Sequence, residues 1–128
     1  MGASHAAAIV RAALWHDAGK VHEVFQDTMQ RAGADADGGP WAKSPGHARH
    51  GRNHFRHELV SALAWLHGHD GTPEDDLVAY LIAAHHGKLR IGAWPFPGEP
   101  IGATRTILGV RGGDVVRDAG LADGERVP

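Results

Sequence analysis

The chain has 128 residues, enough for one domain with a single modest core. Its 13 Lys and Arg against 15 Asp and Glu give a net charge of −2, which excludes a global positive field toward nucleic acid but leaves room for a local basic patch. The chain has no cysteine, which excludes disulfides and thiolate metal sites. Any metal ligands must therefore be nitrogen or oxygen, and the chain has 11 histidines.

The first part of the chain predicts two helices and a long loop. Residues 4–15 are small and apolar with Ser4 as a candidate N-cap, and residues 21–31 carry apolar side chains at helical spacing. Gly19 marks a break between them. Residues 32–52 are too rich in glycine and proline for a regular element and predict a loop. The start of the chain lacks the pattern of a signal peptide or membrane anchor, so a cytoplasmic location is expected.

The middle of the chain predicts two further helices. Residues 54–68 follow the candidate N-cap Asn53 and place leucines (Leu59, Leu63, Leu66), together with Val60 and Ala62, along one face, as in a helix packed on a core. Thr72 followed by Pro73 and three acidic residues is a helix start signal. That helix is predicted to end near His86.

After Gly87 the pattern changes, because prolines recur at 95, 97 and 100 and exclude a helix interior. Residues 104–110, followed by two glycines and residues 114–117, predict a short hairpin. The predicted fold class is therefore all-α: one domain over residues 1–128, a helical bundle with an irregular C-terminal segment that contains the hairpin.

The histidines indicate a metal site. The candidate ligands lie on three predicted helical segments: His16, Asp17, His57, His85 and His86. Imidazole and carboxylate suit divalent Mn, Ni, Co, Fe or Zn. A carboxylate has two oxygens and can bridge two ions, so Asp17 could organise one ion or two. The sequence leaves open whether His54 or His57 points inward.

Basic residues near these ligands are candidates for contact with phosphate. Lys20 follows Asp17 closely enough to place an ammonium beside a bound phosphate, although a solvated lysine is the alternative. The stretch 43–56 contains no acidic residue, and it fits either a phosphate-binding patch or a solvated polar loop. The candidate nucleic-acid contacts are Lys43, Arg49, Arg52, Arg56, Lys88 and Arg90.

Three ordered motifs together resemble a known family. They are His16-Asp17 with Lys20, then Arg56-His57-Glu58, then His85-His86-Gly87-Lys88. This set resembles the HD superfamily of metal-dependent phosphohydrolases, and more closely the HD nuclease domain associated with the type I CRISPR interference helicase. The likeness covers roughly residues 10 to 115.

The resemblance implies an HD-type helical bundle that cleaves single-stranded DNA with divalent metal in antiviral defence, with a helicase subunit or domain as its partner. It implies that His16 and Asp17 ligate metal, that Asp17 bridges, and that Lys20 assists at the phosphate. His57, His85 and His86 would complete a second ion.

Two parts of the family pattern are missing. Family members have a histidine on a helix upstream of the HD pair and an aspartate on a later helix. Here the nearest substitutes for that aspartate are Asp114 and Asp118, in turn-like surroundings. The chain is therefore expected to be shortened at both ends. One ion would then be held by Asp17, His57, His85 and His86, with the His16 side incomplete and activity weak or absent.

Loss of the outer helices would also uncover apolar surface around Leu14, Val24 and Ile82, which favours binding to a partner or self-association. Two other functions use the same residues. One is an HD phosphohydrolase acting on nucleotides, which would enclose a small pocket with base-specific groups. The other is a degenerate HD scaffold that binds metal or a partner without turnover.

Overall fold

The computed structural model describes residues 3–87, 97, 106, 107, 109–111, 113 and 114. These residues are mostly helical, which confirms the all-α class. The helices are α1 (Ala3–Trp15), α2 (Glu23–Arg31), α3 (His57–His67) and α4 (Pro73–Ala84), and a short 3-10 helix (Ala18–Val21) lies between α1 and α2. Two antiparallel strands follow, β1 (Thr106–Ile107) and β2 (Val110–Arg111). Within residues 3–87, none of the helices has the length and apolar character needed to cross a membrane.

Helix α4 is central, because it packs against both α1 and α3. Its Val78 and Ile82 are fully buried, and the indole rings of Trp15 and Trp65 meet edge to face beside them, with centroids 5.2 Å apart. The predicted start of this helix is confirmed. The Thr72 side chain accepts a hydrogen bond from the backbone of Asp75, whose carboxylate accepts one from the Thr72 backbone.

A second, smaller core joins α2 to the segment before α3. It consists of Val24, Phe25, Phe55 and Val60, with Val110 of β2 packed against it. Gly109 lies directly on Phe55: a Cβ at this glycine would come within 2.3 Å of the Phe55 Cα. The hairpin is thus seated on the chain that leads into α3.

The starts of α2 and α3 lie later in the chain than predicted. His54 has a φ of 62° and lies in a turn, so the predicted helix over 54–68 begins only at His57. The helix predicted from residue 21 begins at Glu23, because the Nδ1 of the buried His22 accepts a hydrogen bond from the Val24 backbone (3.1 Å) and caps it. In both cases a histidine lies before the helix in a non-helical conformation, His54 in a turn and His22 as the N-cap.

The hairpin turn also differs. It lies between β1 and β2, where Ile107 pairs with Val110, whereas the sequence placed it at the two glycines 112 and 113. Gly109, with a φ of 77°, supplies the left-handed turn conformation within the described part of this segment. The remaining residues of the predicted hairpin, 104, 105, 108, 112 and 115–117, lie outside the described residues.

The predicted apolar surface was wrong. Val24 is buried in the second core and Ile82 is fully buried between the helices, while Leu14 is only partly exposed. The exposed large apolar side chains include two from the leucine stripe, Leu63 and Leu66. Val60 and Ala62 of the predicted face are buried, but the buried residues of α3 also include Glu58, Ser61 and Trp65, so the packed face differs from the predicted one at Leu63 and Leu66.

Candidate metal centre

The turn that carries His16 and Asp17 is attached directly to α3. Gly19 donates its backbone N–H to the hydroxyl of the fully buried Ser61 (2.7 Å). That hydroxyl lies 3.0 Å from the carbonyl of His16 and 2.9 Å from the carbonyl of His57, either of which can accept its proton. A Cβ at Gly19 would come within 2.0 Å of the His57 carbonyl oxygen. These contacts place the HD pair against the first turn of α3.

The histidine doublet reaches the same place from the end of α4. His85 is the C-cap of that helix, and its Nδ1 donates to the carbonyl of Ile82 (2.6 Å). His86 follows in the turn that Gly87 ends with a φ of 72°. Helix termination therefore determines the orientation of the His85 ring.

The five candidate ligands converge. The Oδ1 of Asp17 lies 3.4 Å from the Nε2 of His57 and 3.9 Å from the Nε2 of His85. Its Oδ2 lies 3.4 Å from the Nε2 of His16, and the Nε2 atoms of His57 and His86 are 3.2 Å apart. Two groups within this cluster have the spacing to hold a metal ion: His57, His85 and His86, and His16, Asp17 and His85.

This grouping differs from the one expected from the sequence. A single set of Asp17 with three histidines was expected, with the His16 side incomplete. The structure instead shows two overlapping groups of three that share His85. Because His16 belongs to a group of three potential ligands, its side of the cluster has more ligands than the sequence indicated.

The hydrogen bonds of His16 and His85 direct the other nitrogen of each ring toward the carboxylate oxygens of Asp17. The Nδ1 of His16 donates to the carbonyl of Ala13 (2.6 Å), as that of His85 does to Ile82, so in the neutral form of each ring the unprotonated nitrogen is Nε2. Both Nε2 atoms face the carboxylate of Asp17. The Nε2 of His85 is buried and has no hydrogen-bond partner among the described residues. A buried acceptor without a partner costs about 1–3 kcal/mol, and a cation would remove that cost.

Lys20 is part of the cluster. Its ammonium donates to the Oδ2 of Asp17 (2.7 Å) and lies 5.9 Å from the ring centroid of Phe25. Burial acts to raise the pKa of Asp17, but the hydrogen bond and the charge of Lys20 outweigh burial, and the pKa is lowered. Asp17 is therefore ionised at neutral pH, with one oxygen toward Lys20 and the other toward His57 and His85.

His57 is held neutral. Its burial lowers its pKa to about 4, against the raising effect of the carboxylates of Glu58 and Asp17. Glu58 is itself buried and accepts a hydrogen bond from Arg56 (3.0 Å). A neutral imidazole is the form that ligates metal, so His57 is available as a ligand at physiological pH without losing a proton.

The metal-free protein is expected to lose stability as the pH falls from about 6.5 toward 4. In this window the unfolded chain protonates His57 while the folded protein does not, so stability is fully present above the upper pH. The slope is up to about 1.4 kcal/mol per pH unit for one proton. Chemical denaturation across this range should show a shallower slope for His57→Gln than for the control His67→Gln, at an exposed position. Equal slopes would contradict the expectation.

The candidate nucleic-acid contacts fall into two kinds. Lys43 and Arg49 are exposed on the loop before α3. Arg52 is bound to Asp114 (2.5 Å) and Glu23 (3.3 Å), and the side chain of Arg56 is directed to Glu58. The latter two therefore make internal ion pairs. Lys88 and Arg90 lie outside the described residues.

Asp114 has a role that the sequence did not suggest. Its Oδ2 accepts hydrogen bonds from Arg52 and from the Arg111 backbone (2.9 Å) and lies 3.0 Å from the Nε2 of the buried His22. The carboxylate proposed as a substitute metal ligand thus ties the hairpin to the start of α2. The other substitute, Asp118, lies outside the described residues.

Ser61 and Gly19 are the positions that sequence reasoning missed. Gly19 was interpreted only as a helix break, and no pattern marks a single serine as the link between two segments.

Comparison of the chain with protein-family models, with curated proteins and with solved structures finds no match. The function is therefore argued from the geometry of the cluster and from the motifs.

Proposed function

We propose that this chain is a metal-dependent phosphodiesterase of the HD type, acting as a nuclease on single-stranded DNA. The observation that carries the proposal is the buried Nε2 of His85, which has no hydrogen-bond partner in the described part of the chain, belongs to both groups of potential ligands and faces an ionised Asp17. Antiviral defence and a helicase partner are parts of the proposal that rest on the resemblance of the three motifs, and the cytoplasmic location is proposed on the sequence pattern alone.

The residues fit a divalent metal of the Mn, Ni, Co, Fe or Zn type, because the donor set is imidazole and carboxylate without thiolate. His57, His85 and His86 would hold one ion, and His16, Asp17 and His85 offer the place for another. When bound, such an ion lowers the pKa of water toward neutrality and polarises a phosphoryl oxygen.

The protein groups have distinct roles in this proposal. The carboxylate of Asp17 presents one oxygen to each side of the cluster, an arrangement that suits a bridging ligand. Lys20 holds its ammonium at the edge of that carboxylate, where it can contact a phosphate oxygen once the Oδ2 of Asp17 is engaged elsewhere. The backbone link through Ser61 keeps the two ligand segments at a fixed separation.

One observation favours a second function, a scaffold that binds metal without turnover. The ammonium of Lys20 lies 2.7 Å from the Oδ2 of Asp17 and compensates the charge that an ion on the His16 side would otherwise compensate. If Lys20 stays there, only the group of His57, His85 and His86 is open to metal.

The testing experiment is metal analysis of protein purified without a histidine tag, paired with nicking of circular single-stranded DNA in Mn²⁺, Ni²⁺, Co²⁺ or Mg²⁺. Wild type is expected to bind metal and to nick DNA, and Asp17→Ala to lose at least about 100-fold in rate, as removal of a unit of a catalytic centre does. Asp70→Ala, at an exposed carboxylate in a turn, is the control.

Each other outcome has a distinct meaning. Bound metal without cleavage would support the scaffold. Hydrolysis of mononucleotides with intact circular DNA would support the nucleotide phosphohydrolase. Protein that binds none of the metals would refute the assignment of the cluster as a metal centre.

A further inference from the structure

The loop before α3 is more ordered than its composition suggests. Between residues 41 and 50 it is fixed to α2 by hydrogen bonds at four places. Gln26 bonds Trp41, and the Gly46 N–H donates to the carbonyl of Ala32 (2.9 Å). Arg31 donates to the carbonyl of Arg49 (2.8 Å), and the hydroxyl of Thr28 bonds the ring of His50 (2.8 Å). A segment with this many attachments is a defined surface beside the helix.

Gln26 connects this segment to the candidate metal centre. Its Nε2 donates to the carbonyls of Trp41 (2.8 Å) and Lys20 (2.6 Å), and its Oε1 accepts the Trp41 N–H (2.8 Å). One side chain thus bonds both the loop and the residue whose ammonium contacts Asp17. At the other end of the segment, the ring of Phe25 packs against two histidine rings. Its centroid lies 5.6 Å from that of His50 and 5.7 Å from that of His57.

The exposed cations of the segment lie beside these attachment points. Lys43 is close to Trp41 in the sequence, and Arg49 is next to His50. Both side chains are exposed, whereas Arg52 and Arg56 are used in internal ion pairs. The segment therefore offers two exposed cations to a ligand, on a loop whose backbone is bonded to Gln26 at Trp41 and to Arg31 at Arg49.

We infer that residues 41–50 form the strand-binding edge of the candidate metal centre and that Gln26 is the positioning residue that holds this edge next to Lys20. This inference rests on the proposed function, because it assigns to the same site a substrate longer than one nucleotide. Lys43 and Arg49 contact phosphates that flank the scissile one. A mononucleotide has no such flanking phosphates, so the edge contributes to the binding of a strand alone.

The test is the affinity of the protein for a fluorescent 30-residue oligothymidylate, measured by anisotropy in EDTA so that no cleavage occurs. The double variant Lys43→Gln, Arg49→Gln is expected to bind about tenfold more weakly, and its plot of log affinity against log salt should be shallower by about 1.4, the value for two phosphate contacts on a single strand. Gln26→Ala is expected to weaken binding several-fold, while Gln30→Ala, at an exposed site of α2, leaves it unchanged.

Combining the variants distinguishes a positioning role of Gln26 from a general structural effect of its substitution. Adding Gln26→Ala to the double variant is expected to cause little further loss, because the displaced edge no longer carries the charges. Independent, multiplicative losses would overturn the role of Gln26, and unchanged affinity of the double variant would overturn the binding edge. The double variant changes only exposed side chains, so its result does not depend on the folding of Gln26→Ala. Failure of DNA nicking with this binding pattern intact would refute the nuclease and leave the edge standing.

Discussion

His85→Ala is expected to lower the affinity for divalent metal by at least about 100-fold, because even outer-shell partners of metal ligands contribute 10–100-fold. His85 belongs to both groups of potential ligands, so its loss leaves each with only two side chains. The other histidines each belong to one group. A larger effect is therefore expected for His85→Ala than for His16→Ala or His86→Ala.

Isothermal titration with Mn²⁺ and Ni²⁺ would measure these affinities, with His5→Ala as the control on the exposed face of α1. The change removes the Nε2, which has no hydrogen-bond partner among the described residues, and also the hydrogen bond from Nδ1 to the Ile82 carbonyl, so a loss of about 0.5–1.5 kcal/mol in stability is expected. If His85→Ala bound metal as tightly as His5→Ala, the shared-ligand arrangement would be wrong. Equal losses for His16→Ala, His85→Ala and His86→Ala would indicate one common ion in place of two groups.

The candidate ligands could be found from the sequence because their spacing is local. His16-Asp17 and His85-His86 are adjacent pairs, and each follows the end of a helix. Because the two members of each pair are neighbours in the sequence, they could be recognised as candidate ligands without knowledge of the packing. The α4 start followed equally from local signals, namely Thr72 and Pro73.

The residues that determine how these pairs meet could not be found in this way. Ser61 lies in the middle of α3, and its contacts with Gly19 and His16 exist only because two segments distant in sequence pack together. The same is true of Asp114, which pairs with Arg52 across the chain. Sequence periodicity reports which face of one helix is apolar. It placed Val60 and Ala62 correctly but was wrong for Leu63 and Leu66, because a buried serine and glutamate lie on the packed side of α3.

Gly19→Ala is expected to destabilise the protein by about 3 kcal/mol or more, at the upper end of the cost of overpacking. The added Cβ would lie 2.0 Å from the carbonyl oxygen of His57 and 2.9 Å from the backbone nitrogen of Ser61. Both are backbone atoms of the first turns of α3, so neither can rotate away as a side chain would. The clash is relieved only if the turn that carries His16 and Asp17 (the HD turn) moves away from α3. This movement also breaks the hydrogen bond from Gly19 to the Ser61 hydroxyl.

The same movement should weaken metal binding, because it separates Asp17 from His57, which are now 3.4 Å apart at their nearest polar atoms. Thermal unfolding and titration with Mn²⁺ would measure the two effects on one preparation. Gly51→Ala is the matched control, since a Cβ there would meet its nearest neighbours at 3.9 Å. Ser61→Ala separates the causes: it removes the hydrogen bonds without the clash and should cost about 1–3 kcal/mol. Gly19→Ala with the stability and metal affinity of Gly51→Ala would show that the HD turn does not depend on close contact with α3.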